Sequence, residues 1–231
     1  MPVFELPQEV LFPNPNDAEP EGVLAFGGDL SPERLLVAYS LGIFPWYNED
    51  EPILWWSLDP RLICFPDEAK FSKSLMQQIR KKEFTISIDT NFRNVIENCA
   101  FVRRKQENGT WIRPEIIEAY CQLHELGFAH SFEVYKENKL VGGLYGVSIG
   151  GMFSGESMFH TQTNASKIAF YYLIQTAKQL QFDFIDCQQV TDHLQTLGAK
   201  PMPRTEFLDR LQKSIQKKTY RGKWNKIIQR V

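Results

Sequence analysis

The sequence has few cysteines, no long apolar run and only scattered histidines, and each deficit excludes a class of protein. Its four cysteines show no CxxC spacing and no zinc-type pairing with His, which predicts reduced thiols in a cytoplasmic protein. No stretch reaches the roughly 18 apolar residues of a membrane span, and the first residues lack the basic and apolar regions of a signal peptide. The four histidines suggest no catalytic triad with Ser or Cys. We therefore expect neither a membrane partner nor a metal.

Basic residues are almost absent from the first quarter of the chain. Residues 1–60 contain eleven Asp and Glu against one Arg, whereas residues 200–231 contain ten Lys and Arg against two acids. A basic C-terminal segment with Tyr220 and Trp224 among its charges suits a polyanion. The alternative is a basic helix that docks on the acidic N-terminal region.

The order of the predicted elements indicates an α+β fold. Ser31 and Pro32 form a helix start, and that helix is expected to end at Gly42. From residue 129 onward the pattern predicts three meandering strands, a long helix over 164–180 and a further strand over 182–187. This order predicts a mixed, mostly antiparallel sheet of the GNAT-like acyltransferase type. We assign it to a catalytic domain of residues 63–231 with a basic C-terminal helix, preceded by a small N-terminal α/β domain of residues 1–62.

Two predicted strands carry carboxylates among large apolar residues. Because side chains alternate along a strand, one face is expected to hold Met152, Ser154, Glu156 and Met158, and another Phe182, Phe184, Asp186 and Gln188. A carboxylate on an apolar face is costly unless it is paired, hydrated or used. The two acids therefore indicate the floor of a binding pocket; the alternative is that both are hydrogen-bonded structural residues.

Six short strings, in this order and spacing, resemble the leucyl/phenylalanyl-tRNA–protein transferase family. They are GGDL at 27–30, LGIFPW at 41–46, WWSLDPR at 55–61, GTWI at 109–112, GGMFSGESMF at 150–159 and FIDCQ at 184–188. The resemblance runs from about Phe12 to Trp224. Leu58 stands where the family usually has Pro, which predicts a locally altered loop.

The resemblance implies an enzyme that moves Leu, Phe or, less well, Met from an aminoacyl-tRNA to a protein. The acceptor is implied to be the α-amine of an N-terminal Arg or Lys, and the product a degradation signal. No metal and no organic cofactor is implied.

Asp186 and Gln188 are the implied catalytic pair. Their Cα atoms lie roughly 6.5–7 Å apart if the strand is extended, so both are expected to reach one amine. A neutral amide is a poor base, so Gln188 is given an orienting role and Asp186 an electrostatic one. Glu156 is expected to pair with the acceptor's cationic side chain or to hold its α-ammonium. An alternative, which the sequence leaves open, gives the proton transfer to the 2′-hydroxyl of the tRNA.

Substrate contacts are assigned by residue type. An apolar pocket for the donor side chain is expected from Met152 or Met158, with Ile185, Phe170 and Phe184, although ordinary core packing would use the same residue types. Ser154 is a further substrate-binding candidate. Indole rings offer flat faces for stacking on the terminal adenosine, and the candidates are Trp46 and Trp111. Acceptor-stem phosphates are expected to contact two basic clusters, Arg80, Lys81 and Lys82 and Arg103, Arg104 and Lys105.

Three other functions compete with this interpretation. An acetyl-CoA-dependent enzyme needs a glycine-rich pyrophosphate loop at the start of the long helix, and residues 160–166 contain no glycine. A peptidoglycan-type aminoacyl transferase would need a longer, duplicated domain. A non-catalytic tRNA-binding module would not explain two carboxylates on apolar strand faces.

Overall fold

The computed structural model describes residues 3–101 and 112–226, and the fold is built on two sheets. The strands in these ranges are β1 (Phe4–Leu6), β2 (Val23–Gly27), β3 (Phe44–Pro45), β4 (Leu54–Trp56), β5 (Arg61–Cys64), β6 (Thr85–Ile88), β7 (Ala129–Lys136), β8 (Lys139–Ile149), β9 (Met152–His160), β10 (Phe184–Gln188) and β11 (Lys200–Met202). The helices are α1 (Pro32–Ser40), α2 (Lys73–Arg80), α3 (Phe92–Phe101), α4 (Pro114–Glu125), α5 (Ala165–Gln179), α6 (Asp192–Thr196) and α7 (Arg204–Ser214).

The small sheet has the order β1-β2-β4-β3, and the large sheet has the order β11-β5-β10-β9-β8-β7-β6. In the large sheet β9 and β10 pair in parallel and the other neighbours pair antiparallel. The predicted α+β class with a mixed, mostly antiparallel sheet is therefore confirmed. The predicted domain boundary after residue 62 falls inside β5 and stays a prediction.

Local signals position the helices that frame the large sheet. Ser31 caps α1 by accepting from the amide of Arg34, and Pro32 begins the helix as predicted. Helix α5 connects the parallel strands β9 and β10, as the meander–helix–strand order required. Its buried face includes Ile168 and Leu173 and packs on the sheet. This arrangement places the end of β10 beside the middle of β9.

The C-terminal segment differs from the predicted basic helix. Helix α7 ends at Ser214, and beyond it the described chain forms only a 3₁₀ turn, Trp224–Lys226. Trp224 is fully buried: its ring stacks on His130 at 3.7 Å, and its amide donates to Asp89 over 2.7 Å. The buried indole fixes the segment after α7 against the large sheet. Arg204, at the start of α7, contacts the acidic N-terminal region, since its backbone amide donates to Asp59 Oδ1 and its Nη1 to the Ser57 carbonyl.

Candidate active site

A bulge in β9 sets the geometry of the site. Tyr145 pairs with Ser157 and Gly146 with Gly155, which leaves Glu156 as an extra residue without a partner on β8. A bulge of this kind redirects the side chains that follow it. Glu156 lies on the face that carries Tyr120, whereas Met158, beyond the bulge, packs against the apolar cluster under α5.

The Glu156 carboxylate is buried in a network of polar side chains. Gln188 Nε2 donates to Glu156 Oε1 over 2.7 Å, and the Tyr120 hydroxyl donates to Oε2 over 3.1 Å. Tyr39 on α1 hydrogen-bonds the Tyr120 hydroxyl in turn. Ser154 Oγ lies 3.5 Å from Glu156 Oε1 and 3.5 Å from Asp186 Oδ2. Both carboxylates therefore belong to one connected network.

Burial raises the pKa of Glu156 to about 7, and the nearby charge of Asp186 adds to the rise. Hydrogen bonds from Tyr39 and Tyr120 and the charge of Arg61 act in the opposite direction. A carboxyl with a pKa near neutrality exchanges a proton readily at physiological pH, as a general base requires. Burial also raises the pKa of both tyrosines well above the usual value, so their hydroxyls remain donors.

Both carboxylate oxygens of Asp186 accept hydrogen bonds from other residues. Its Oδ1 and Oδ2 accept from Nε and Nη2 of Arg61 over 2.8 and 2.7 Å, and Oδ1 also accepts from the Gln188 amide over 2.9 Å. Both charged groups of this ion pair are almost completely buried. The sequence predicted that Asp186 and Gln188 both contact the same substrate amine. In the structure Gln188 and Glu156 line one cavity, and Asp186 is not among the residues that line it.

That cavity, here called the β9–β10 cavity, has a volume of about 620 Å³. Its apolar lining residues, here called the apolar part, include Leu144, Met158, Phe170, Leu173 and Ile185. Its polar lining residues include Glu156, Gln188, His160, Ser166 and His193. A cavity of this size with both apolar and polar lining residues is typical of a site for a small organic group.

Three of the residues proposed for the donor pocket meet in this cavity, namely Met158, Phe170 and Ile185. Two others, Met152 and Phe184, do not line it. They are buried on the other face of the sheet, where Phe184 packs on Phe207 of α7 at 6.0 Å. The predicted common face of Met152 and Met158 was wrong because the bulge at Glu156 changes the alternation.

The remaining candidates that the structure describes are not among the residues that line the cavity. Trp46 is partly buried and its ring centroid lies 5.1 Å from that of Trp56. Arg80, Lys81 and Lys82 are exposed at the end of α2. The other stacking and phosphate candidates, Trp111, Arg103, Arg104 and Lys105, lie outside the described residues.

Three residues of the network were not predicted as site residues from the sequence. Tyr39 and Tyr120 lie on helices, and nothing in their local pattern distinguishes them from core residues. Arg61 was present in the quoted string at 55–61, but its buried position beside Asp186 follows from the pairing of β5 with β10. The position of Asp186 on an apolar strand face was the one feature of the sequence that indicated a buried partner such as Arg61.

Two features are absent from the described residues, a metal-binding cluster and a membrane-spanning helix. Within residues 3–101 and 112–226, no group of three or more His, Cys, Asp and Glu side chains is placed to hold a metal ion. In the same ranges no helix combines the length and apolarity needed to cross a bilayer.

Comparison with known proteins shows that the chain belongs to a family of aminoacyltransferases. The family is that of the leucyl/phenylalanyl-tRNA–protein transferases, whose model matches residues 63–212; the model of the N-terminal domain of the same family matches residues 28–59.

Individual relatives carry the same name. The leucyl/phenylalanyl-tRNA–protein transferase of Maridesulfovibrio salexigens is 54% identical over 97% of this chain and 94% of its own length. The protein of that name from Anaeromyxobacter sp. is 52% identical over 97% of this chain and 96% of its own. Among solved structures, an aminoglycoside acetyltransferase from an uncultured soil sample has a TM-score of 0.39, with 16% identity, over 50% of this chain and 84% of its own.

Proposed function

We propose that the protein transfers Leu or Phe, and less well Met, from an aminoacyl-tRNA to the α-amine of a protein that begins with Arg or Lys. The new N-terminal residue then marks the acceptor for degradation. Family membership supports the aminoacyl transfer, and the geometry of the β9–β10 cavity supports the assignment of residues to its steps.

The observation that carries the proposal is the mixed lining of the cavity. Glu156 and Gln188, which are hydrogen-bonded to each other, line it together with the apolar side chains of Met158, Phe170 and Ile185. An aminoacyl ester presents the same two requirements, because an apolar side chain must be held while its carbonyl is exposed to an amine. In the proposal the donor side chain occupies the apolar part, and the ester lies beside Glu156 and Gln188.

Aminolysis also requires a place for a proton. The amine nitrogen bonds to the ester carbonyl carbon, the bond from that carbon to the ribose 3′-oxygen breaks, and a proton leaves the nitrogen. Glu156, with a pKa of about 7, accepts this proton and returns it to the departing ribose oxygen. Gln188 orients the carboxylate through its 2.7 Å hydrogen bond.

The tRNA is proposed to approach the end of the sheet where β9 ends at His160. Register places the start of β6, at Thr85, in line with this end, since Thr85 pairs with Tyr135 and Gly142 pairs with His160. Arg80, Lys81 and Lys82 directly precede β6 and are exposed at the same end. We assign them, with Arg103, Arg104 and Lys105, to acceptor-stem phosphates, and Trp46 and Trp111 to stacking on the terminal adenosine.

The test is transfer of radiolabelled Leu from charged tRNA to a peptide that begins with Arg. The same peptide with its α-amine acetylated is the matched control, because it keeps the side chains and removes the nucleophile. We expect label in the free peptide alone. Labelling of neither peptide, together with acetyl transfer from acetyl-CoA to the free one, would assign the cavity to a different acyl donor.

A further inference from the structure

Arg61 is a buried cation that contacts Asp186, although it does not line the β9–β10 cavity. Its side chain is 1% exposed, and its Nε and Nη2 both donate to Asp186. Removing a cation from water is costly unless it is paired. The bidentate contact provides this pairing and also fixes the plane of the Asp186 carboxylate.

The guanidinium group is held from both sides. Its central carbon lies 4.8 Å from the ring centroid of Phe44, on β3 of the small sheet, and 4.8 Å from that of Phe207, on α7. Two aromatic faces restrict the guanidinium to one orientation and stabilise its charge. Arg61 therefore connects the small sheet and α7 to strand β10.

Asp186 in turn constrains the backbone conformation of Gln188. The Gln188 backbone has a φ of +59°, a left-handed conformation that is unfavourable for a residue with a side chain. Its amide donates to Asp186 Oδ1 over 2.9 Å. The pairing of β10 with β5 is interrupted directly before it, at Cys187, since Asp186 pairs with Ile63 and Gln188 with Leu62. The Gln188 side chain is turned toward Glu156, where Nε2 meets Oε1 at 2.7 Å.

We propose that Arg61 is a positioning residue: with Asp186 it holds the left-handed backbone of Gln188 and so aims the Gln188 amide at Glu156, while the negative charge of Asp186 is not itself needed for transfer. The inference rests on the proposed function of Glu156 and Gln188. A bidentate pair carries no net charge, so its field at the amine is that of a dipole and falls off steeply. The carboxylate oxygen that accepts from the Gln188 amide is what the site needs.

A pair of variants separates geometry from charge. Asp186→Asn keeps an oxygen for the Gln188 amide but turns an NH₂ group toward Arg61, whose charge is then buried without a partner. Adding Arg61→Met removes this charge and leaves an unbranched apolar side chain between Phe44 and Phe207. We expect kcat to fall by about 10²-fold in Asp186→Asn. In Arg61→Met/Asp186→Asn it should recover to about tenfold below wild type, the remaining loss being the positioning that Arg61 supplies, with KM for charged tRNA changed less than about twofold in both.

The pH dependence of the transfer rate gives a second measurement, which would not change if Arg61 and Asp186 only stabilised the fold. Arg61 and Asp186 act on the pKa of Glu156 in opposite directions. The double variant should therefore keep the acid limb of the wild-type profile, and Arg61→Met alone should shift the limb upward. Arg93→Met/Glu118→Gln is the matched control, because it removes an exposed bidentate pair with contacts of 2.6 and 2.9 Å, and we expect it to match wild type.

A folded double variant that is as impaired as Asp186→Asn would overturn the inference, because the charge itself would then be required. If the double variant does not fold, Arg61→Lys decides: a single donor should lower kcat while KM and the acid limb stay unchanged, and an unchanged kcat would contradict the positioning role. Absence of aminoacyl transfer in the wild-type protein would instead contradict the proposed function.

Discussion

Gln188 Nε2 donates to Glu156 Oε1 over 2.7 Å, across two parallel strands that are neighbours in the large sheet. Neither residue lies in a regular strand position. Glu156 is the extra residue of a bulge, and Gln188 has a left-handed backbone at the end of β10. The two irregularities turn these side chains toward one cavity, and they make the pairing sensitive to small changes in the network around it.

Replacement of Glu156 by Gln should stabilise the folded protein at alkaline pH. The folded pKa of about 7 lies above the usual pKa of 4.5, so the protonated form contributes stability that is complete below the unfolded pKa and is lost as pH rises through about 7. Glu156→Gln removes this loss, which amounts to a difference on the order of 3 kcal/mol. Thermal unfolding at a series of pH values measures it. A variant whose Tm differs from wild type equally at acid and alkaline pH would contradict the pKa.

Loss of the Tyr120 hydroxyl should raise the pKa of Glu156 further. The hydrogen bond from Tyr120 lowers this pKa, and Tyr120→Phe removes the donor while it keeps the ring that packs on Tyr39 and Tyr145. The acid limb of the rate profile should then move to higher pH. Asn91 hydrogen-bonds the hydroxyl of Tyr135 away from the cavity, so Tyr135→Phe is the matched control. A limb that does not move would show that this contact does not act on Glu156.

Donor selection is tested by two methionines on opposite faces of the sheet. Met158 lines the cavity and Met152 does not. Met158→Ala should admit tRNA charged with Trp, because it enlarges the apolar part of the cavity. Ile and Val should remain poor donors, because their Cβ branch lies beside the ester. An apolar pocket discriminates by only about 1–3 kcal/mol per methylene, so Leu, Phe and Met should all remain substrates of wild type.

Met152→Ala is the control for this prediction. It should lower stability by about 2–5 kcal/mol, as a truncation in a packed core does, without changing the order of donors. Transfer from tRNAs misacylated with Val, Ile and Trp gives the comparison. If Met152→Ala alters donor choice as strongly as Met158→Ala, the assignment of the apolar part of the cavity is wrong.

Charge reversal at the end of α2 should weaken tRNA binding through phosphate contacts. For Lys81→Glu/Lys82→Glu, the slope of log K against log salt should fall by about 2, since each phosphate contact contributes roughly one unit. Reaction with aminoacyl-adenosine, which lacks the acceptor stem, should be nearly unchanged. The control is Lys178→Glu/Lys200→Glu, because these lysines already pair with Asp67 and Glu68 at 3.1 and 2.5 Å. Equal losses with tRNA and with aminoacyl-adenosine would exclude a phosphate role.

Periodicity was sufficient to predict β7 to β10 and the helix between β9 and β10, whereas the short edge strand β11 was not predicted. It also located Glu156 and Asp186, because a carboxylate on an apolar strand face is an anomaly that sequence alone can show. The role of Gln188 came from the family resemblance. Alternation failed at the bulge, since a bulge depends on pairing with β8. The local signal was Gly155, because a glycine inside a strand often marks a bulge. Met152 and Met158 were therefore placed on one face.

Long-range contacts account for the other differences. Arg61 is separated from Asp186 by 125 positions, and Tyr39 from Tyr120 by 81. No local pattern can report such pairs, so the burial of Asp186 behind an ion pair was not predicted. Trp224 was expected among solvated charges, but it stacks on His130 in the core. The large apolar surface of an indole favours burial even when the neighbouring residues in the chain are charged.

The most direct test of the account is the pH dependence of transfer by wild type and Glu156→Gln, measured with one Arg-initiated peptide. The ionisation of the peptide amine is common to both, so the ratio of the two rates depends on Glu156 alone. Glu133→Gln is the matched control, since Glu133 is also fully buried with a pKa raised by burial, but it is bound by Ser131 and Thr90 and does not line the cavity.

The account predicts that wild type exceeds Glu156→Gln by about 10² or more above pH 8, and that the ratio falls as the pH drops through the Glu156 pKa of about 7. The ratio of wild type to Glu133→Gln should stay near one throughout. A rate ratio for Glu156→Gln that is independent of pH, or close to one at alkaline pH, would contradict the role of Glu156 as the proton acceptor.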